Sequence, residues 1–198
     1  MLLNKAETLL MNNPVRAAVQ RHYEARRLRN MGGVMAGGRA LEIGCGRGVG
    51  TEIILTQFGA DAVDAFDLDA VMVRRAQARL KRFGDRVRLW IGDATDIRAD
   101  DEAYDAVFDF GVIHHIPNWR AALREVHRVL KPGGRFYADE IYEKFIMHPV
   151  VRALLDHPMQ DRFDHARFAE ALEAAGLHVG KSYDEGHFGF FVATKAAA

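Results

Sequence analysis

Ala40-Leu41-Glu42-Ile43-Gly44-Cys45-Gly46-Arg47-Gly48 decides how this chain is read. A buried strand runs straight into a glycine-rich turn, and a helical pattern follows from about residue 48 to 58. Glycines at alternating positions let backbone pass close beneath a ligand, because no Cβ intervenes. Glu42 stands two residues before the first of them. A helix N-terminus attracts anions, so a phosphate-binding loop would avoid an acid here. The acid therefore argues for a ligand that carries positive charge and no phosphate.

Working outward, three further strands end in or beside acids. Ala62-Val63-Asp64-Ala65-Phe66 alternates and stops at Asp67, followed by Leu68-Asp69. An acid at the end of the second strand of an α/β unit is placed to accept both hydroxyl protons of an adenosine ribose. Val87-Arg88-Leu89-Trp90-Ile91-Gly92 ends at Asp93-Ala94, where a carboxylate and an amide can read an adenine edge. Tyr104 to Phe110, containing Asp109, is a fourth strand, and Leu130-Lys131-Pro132-Gly133-Gly134 closes a helix and opens a fifth. Helical patterns over 69–83, with Asp69 as N-cap, and 118–130 separate these strands, which implies βαβ units and a parallel sheet. S-adenosylmethionine (SAM) is a ligand of that kind, cationic and without phosphate.

With these motifs in this order, the chain resembles the class I SAM-dependent methyltransferases. The similarity is to the group called methyltransferase type 11, which includes relatives of quinone-biosynthesis enzymes. It spans roughly residues 39–194 and rests on Leu-Glu-Ile-Gly-Cys-Gly-Arg-Gly, Phe-Asp-Leu-Asp, Gly-Asp-Ala, Val-Ile-His-His-Ile and Leu-Lys-Pro-Gly-Gly. The resemblance implies a doubly wound, mostly parallel, seven-stranded Rossmann-like sheet. Its last two strands, 177–184 and 187–194, are joined by Glu185-Gly186, too short a link for a parallel crossover, so they must be antiparallel. It also implies that Glu42, Gly44, Cys45, Gly46 and Gly48 shape the methionine side of a SAM pocket. Asp67 and Leu68 would then meet the ribose, Asp93 and Ala94 the adenine, and Asp109 the amino-acid end.

Upstream of the first strand, Leu2 to Met11 and a basic stretch from Val15 to Met31 read as two helices broken at Asn12-Asn13-Pro14. Residues 1–38 are thus expected to form a helical lid or cap, and 39–198 the SAM-binding catalytic domain. Residues 1–39 carry seven basic side chains against two acids, although Lys+Arg and Asp+Glu balance at 27 each over the chain. That balance gives no global drive toward nucleic acid. Asp109-Phe110-Gly111 is also not the Asn/Asp-Pro-Pro-Tyr signature of enzymes that methylate nucleic-acid amines. One cysteine precludes an internal disulfide, and no apolar run reaches membrane-span length. A cytoplasmic enzyme is the expectation, with peripheral membrane contact and a homodimer left open.

Displacement at a sulfonium methyl needs orientation and a dry site, and a base only where the nucleophile must lose a proton. Catalytic candidates are His114, Glu140 and Tyr23, the last on the expected lid with His22, Arg26 and Arg27. Those arginines equally suit a solvated helix face. Adjacent His114 and His115 diverge and have no third ligand at a telling spacing, so no metal is expected. His115 is read as a structural hydrogen-bonding residue. At the end of the fifth strand, Asp139 and Glu140 point to opposite faces. The expected reaction is methyl transfer to a small-molecule O, N, S or C nucleophile. A quinone or phospholipid acceptor at a membrane surface and a non-catalytic SAM-binding regulator are the alternatives. A nicotinamide oxidoreductase would want Gly-x-Gly-x-x-Gly without the preceding acid.

Overall fold

The computed structural model describes residues 13–147 and 161–197. The expected helix over Leu2–Met11 and most of the irregular stretch at 142–164 lie outside them. Helix α1 begins at Pro14, capped by the Asn13 carboxamide, which accepts from Arg16 N at 2.8 Å. It passes through a π turn, Gln20–Glu24, and continues as Ala25–Gly32. Then follow β1 (Arg39–Ile43), α2 (Val49–Ile53, extended by a π turn at Ile54–Phe58), β2 (Ala62–Asp67), α3 (Ala70–Leu80) and β3 (Val87–Ile91). The second half holds β4 (Tyr104–Phe110), α4 (Trp119–Val129), β5 (Leu130–Ile141), α5 (Glu143–Ile146), α6 (His165–Ala174), β6 (Leu177–Asp184) and β7 (Phe188–Lys195).

The seven strands lie in the order β3-β2-β1-β4-β5-β7-β6. The first five pair in parallel, while β7 runs antiparallel to both β5 and β6. This is the expected doubly wound sheet. Alternation along each strand sorts side chains between its two faces. Leu41, Val107, Phe136 and Phe191 meet Leu123, Val126, Phe168 and Leu172 of α4 and α6. On the other face Phe108, Tyr137 and Val192 pack with Leu28 of α1 and with Ile53 and Phe58 of α2. Phe108 stacks on Tyr137 with centroids 4.7 Å apart, and Phe58 closes on both edge-on.

The strand order reverses between β1 and β4, so the chain departs to opposite faces there and leaves a crevice at the strands' carboxyl ends. The second half of α1 is fixed over this sheet by buried Ala25, Leu28 and Met31. Arg135 and the Tyr137 hydroxyl both donate to the Gly32 carbonyl. The first half of α1 therefore overhangs the crevice from a firm base.

Candidate functional site

The crevice is a cavity of about 360 Å³ lined by the turns after β1, β2, β3 and β4 and by Arg16, Ala17 and Gln20 of α1. That volume lies in the range of small-molecule sites. Its floor is the glycine turn. Gly44 has φ +65° and stands against Val112, and Gly48 has φ +84° at the N-cap of α2, conformations that a side chain would strain. A Cβ at Gly46 would meet nothing within 4 Å, so backbone there is open to a ligand.

Asp67 ties two turns together. One carboxylate oxygen accepts from Gly46 N and the other from Asp69 N, both at 2.8 Å. Each oxygen keeps a free lone pair, and Asp67 lines the cavity. Burial raises its pKa, while those two amide bonds pull it back down. Asp69 caps α3 by accepting from Val71 N at 2.7 Å. Asp93 folds an Asx turn with Thr95, whose amide and hydroxyl both donate to one of its oxygens at 2.8 Å.

Glu42 is only 2% exposed, and its partner is the Thr51 hydroxyl, which donates to it. No cation lies within ion-pair distance of it among the described residues. Burial pushes its pKa up to about 8, the Thr51 bond opposes this, and Asp67 and Asp109 add repulsion. A Cβ on Gly50 would overlap the Glu42 carboxyl and crowd Phe110, so this helix position must be glycine for the acid to sit here. Gly50→Ala is expected to weaken binding of a cationic ligand by about tenfold through the displaced carboxyl; ligand titration of the variant checks it. Cys45 also lines the cavity, but burial pushes its thiol pKa up, which leaves it unreactive.

Of the expected cofactor residues, Glu42, Gly44, Cys45, Gly46, Asp67, Leu68, Asp93 and Ala94 line one cavity. Gly48 and Asp109 do not. Gly48 faces Leu80, and Asp109 is fully buried behind the wall, accepting from Val112 N at 2.9 Å. The three catalytic candidates are absent from the lining. Glu140 accepts from Ile113 N at 2.8 Å and His114 N at 3.3 Å, and pairs with His114 Nδ1 at 2.6 Å. It also shares a hydrogen bond with Asp109, so one carboxyl keeps its proton; burial and the Glu140 charge drive the Asp109 pKa up. The tight 3₁₀ turn Ile113–His115 carries His114 inward to this pair and leaves His115 on the cavity wall, the reverse of the expected assignment. Tyr23 is 46% exposed and donates to Glu185.

Arg16 of α1 lines the cavity and is a side chain the sequence did not single out. It pairs with Glu24 at 2.7 Å across the π turn and feels the charge of Asp139. Asp139, 6% exposed, faces α1, whereas Glu140 faces the 113–114 turn, as alternation requires. Among the described residues no cluster of three or more metal-ligating side chains is present.

Comparison with known proteins fits this geometry. Residues 40–134 match a family model described as a methyltransferase domain. By this match residues 40–134 are similar to a methyltransferase domain. The chain is 37% identical over 107 residues to a probable phthiotriol/phenolphthiotriol dimycocerosates methyltransferase 2 of Mycobacterium ulcerans, covering 53% of this chain and 40% of that protein. It is 32% identical over 124 residues to a fatty-acid O-methyltransferase of Mycolicibacterium smegmatis, covering 63% and 44%. The chain thus spans less than half the length of these curated relatives. Neither is named for a quinone. A SAM-dependent methyltransferase of Aquifex aeolicus superposes on 98% of this chain and 99% of its own with a TM-score of 0.76 at 19% identity. Among the described residues no helix is long and apolar enough to cross a membrane.

Proposed function

We propose that this chain binds SAM in the crevice and transfers its methyl group to an apolar small-molecule or lipid acceptor. The observation that carries the reading is Glu42, a buried carboxyl at the cavity floor with no cation paired to it among the described residues. Such a group is costly unless a cation arrives to compensate it. SAM supplies that positive charge together with an activated methyl. The donor set fits the rest of the molecule. Asp67 retains lone pairs for the ribose hydroxyls, Asp93 and Ala94 offer an acceptor and an amide for adenine, and open backbone at Gly46 allows close approach. In this reading residues 1–38 are the cap and 39–198 the catalytic domain.

The chain's own residues then bind, orient and exclude water. Arg16, Ala17 and Gln20 cover the cavity from above, and Phe66, Met72, Phe110, Val112 and Ile116 keep its walls apolar. A sulfonium donor needs little further activation, so positioning dominates. Where the acceptor carries a proton, His115 on the wall is the group placed to take it, while Glu140 and His114 hold the turn that presents His115. The apolar walls favour an apolar acceptor, in keeping with the lipid substrates for which the relatives are named.

Calorimetric titration with SAM tests the pocket. SAM is expected to bind and NADH not to, and Asp67→Asn is expected to weaken SAM by about ten- to a hundredfold, the loss of charge-assisted hydrogen bonds. Absence of binding to SAM and to its demethylated product would overturn the reading.

A further inference from the structure

The outer face of α3 is strongly basic. From Ala70 to Arg82 the chain carries Arg74, Arg75, Arg79, Lys81 and Arg82, and no acid at all. Helical spacing sends Met72, Val73, Ala76 and Leu80 into the core and leaves Val71, Arg74, Arg75, Arg79 and Arg82 exposed on one stripe. A single carboxylate, Glu52 of α2, meets Arg82 at 2.6 Å, Arg79 at 3.0 Å and Arg21 of α1 at 3.3 Å. Arg47 completes the group. It lies on the cavity wall, and its protonated form is disfavoured by desolvation and then by the charges of Arg79 and Arg75.

Three arginines thus converge on one acid, with Arg47, Arg74 and Arg75 unpaired to it nearby, in a chain whose total charge is zero. Crowding like charges works against the folded state, so the patch calls for an anionic partner. The head of the same helix settles which kind. Leu68, 46% exposed, lines the cavity, and Val71, 42% exposed, stands three residues further along in the first turn of α3. Exposed apolar side chains running into a basic stripe are the pattern of a helix that lies on a lipid surface, with apolar groups entering the headgroup layer and cations held by anionic lipids.

We propose that the outer face of α3, with Arg21 and Arg47, docks this protein on an anionic membrane surface with the cavity mouth turned toward the lipid. The proposal deepens the apolar-acceptor reading and rests on it for its purpose: an acceptor partitioned into lipid would enter the cavity without crossing water. Its test needs neither SAM nor acceptor.

The full chain is co-sedimented with vesicles of phosphatidylglycerol mixed with phosphatidylcholine, and with phosphatidylcholine alone. Binding is expected for the mixed vesicles only and is expected to fall as salt is added. The combined variant Arg74→Gln, Arg75→Gln, Lys81→Gln removes three cations that Glu52 does not engage, with glutamine keeping helix propensity. It should lose at least about tenfold in vesicle partition, with its melting temperature and SAM titration unchanged. Equal partition of variant and wild type, equal binding to neutral vesicles, or retention by an acidic protein or RNA without vesicle binding would each overturn the proposal. Vesicle binding that persists in a chain unable to bind SAM would instead strike at the methyltransferase reading alone.

Discussion

SAM affinity is expected to rise by about tenfold per pH unit as the pH climbs toward about 8, and Glu42→Gln is expected to abolish that rise. In the free protein the Glu42 carboxyl is held up at about 8 by burial, so at neutral pH it carries a proton. A cation bound beside it favours the carboxylate and lowers its pKa. Binding is therefore linked to proton release: each unit by which the pH falls below the free-state pKa costs about tenfold in affinity, and above that pKa the dependence levels off. The amino group of SAM titrates in the same region, at about 7.7 for an ordinary α-amine. It does so equally with both proteins, so the difference between wild type and Glu42→Gln isolates the carboxyl. Calorimetry in buffers of different ionisation enthalpy should find close to one more proton released by the wild type near neutrality. An identical pH profile in the two proteins would remove Glu42 from cation binding.

The same carboxyl makes an opposite prediction for the free protein. Its folded-state pKa lies above the ordinary value of 4.5, so the folded state binds the proton more tightly than the unfolded chain does. Stability is then lost as pH rises from the unfolded-state value toward about 8. Glu42→Gln should stabilise the free protein through that window while weakening the ligand, a trade between stability and function at one residue.

Glu42 was legible in the sequence because the features around it are local. An apolar run, an acid and spaced glycines occupy nine consecutive residues, and the strands ending at Asp67 and Asp93 declare themselves by two-residue alternation. The antiparallel pairing of the last two strands followed from a connection too short to do otherwise. What was not legible depends on phase. The π turn at Gln20–Glu24 holds one more residue than an α turn, so the faces of α1 upstream of it are rotated relative to an α-helical count. The side chains over the cavity are consequently Arg16, Ala17 and Gln20, and Tyr23 points to Glu185. The histidine pair failed for a related reason. Three residues of 3₁₀ helix have no periodicity to read, and the inward direction of His114 is set by Glu140, which lies 26 residues away in the chain. Likewise β5 starts at Leu130 and passes through Pro132-Gly133-Gly134 with a shifted register against β4, where the glycines suggested only a turn.

Glu140→Ala is expected to destabilise the protein by about 3 kcal/mol and to weaken SAM along with it. The substitution relieves the cost of burying one of two adjacent acids. It also strips acceptors from Ile113 N, His114 N and His114 Nδ1, which Glu140 engages at 2.8, 3.3 and 2.6 Å inside the core. Each buried donor left without a partner costs about 1–3 kcal/mol, so the loss outweighs the relief. The turn concerned supplies Val112, His115 and Ile116 to the cavity wall, and Asp109, which accepts from Val112 N, is deprived of its carboxyl partner. Glu140→Gln keeps an acceptor oxygen in nearly the same volume and should cost about 1 kcal/mol. Urea denaturation reads both variants: the midpoint should fall with the slope unchanged, further for alanine than for glutamine. If the alanine variant matched the wild type in stability while losing activity, Glu140 would be acting in the chemistry itself. A fall in stability and SAM affinity that glutamine largely rescues is the behaviour of a residue that positions the wall.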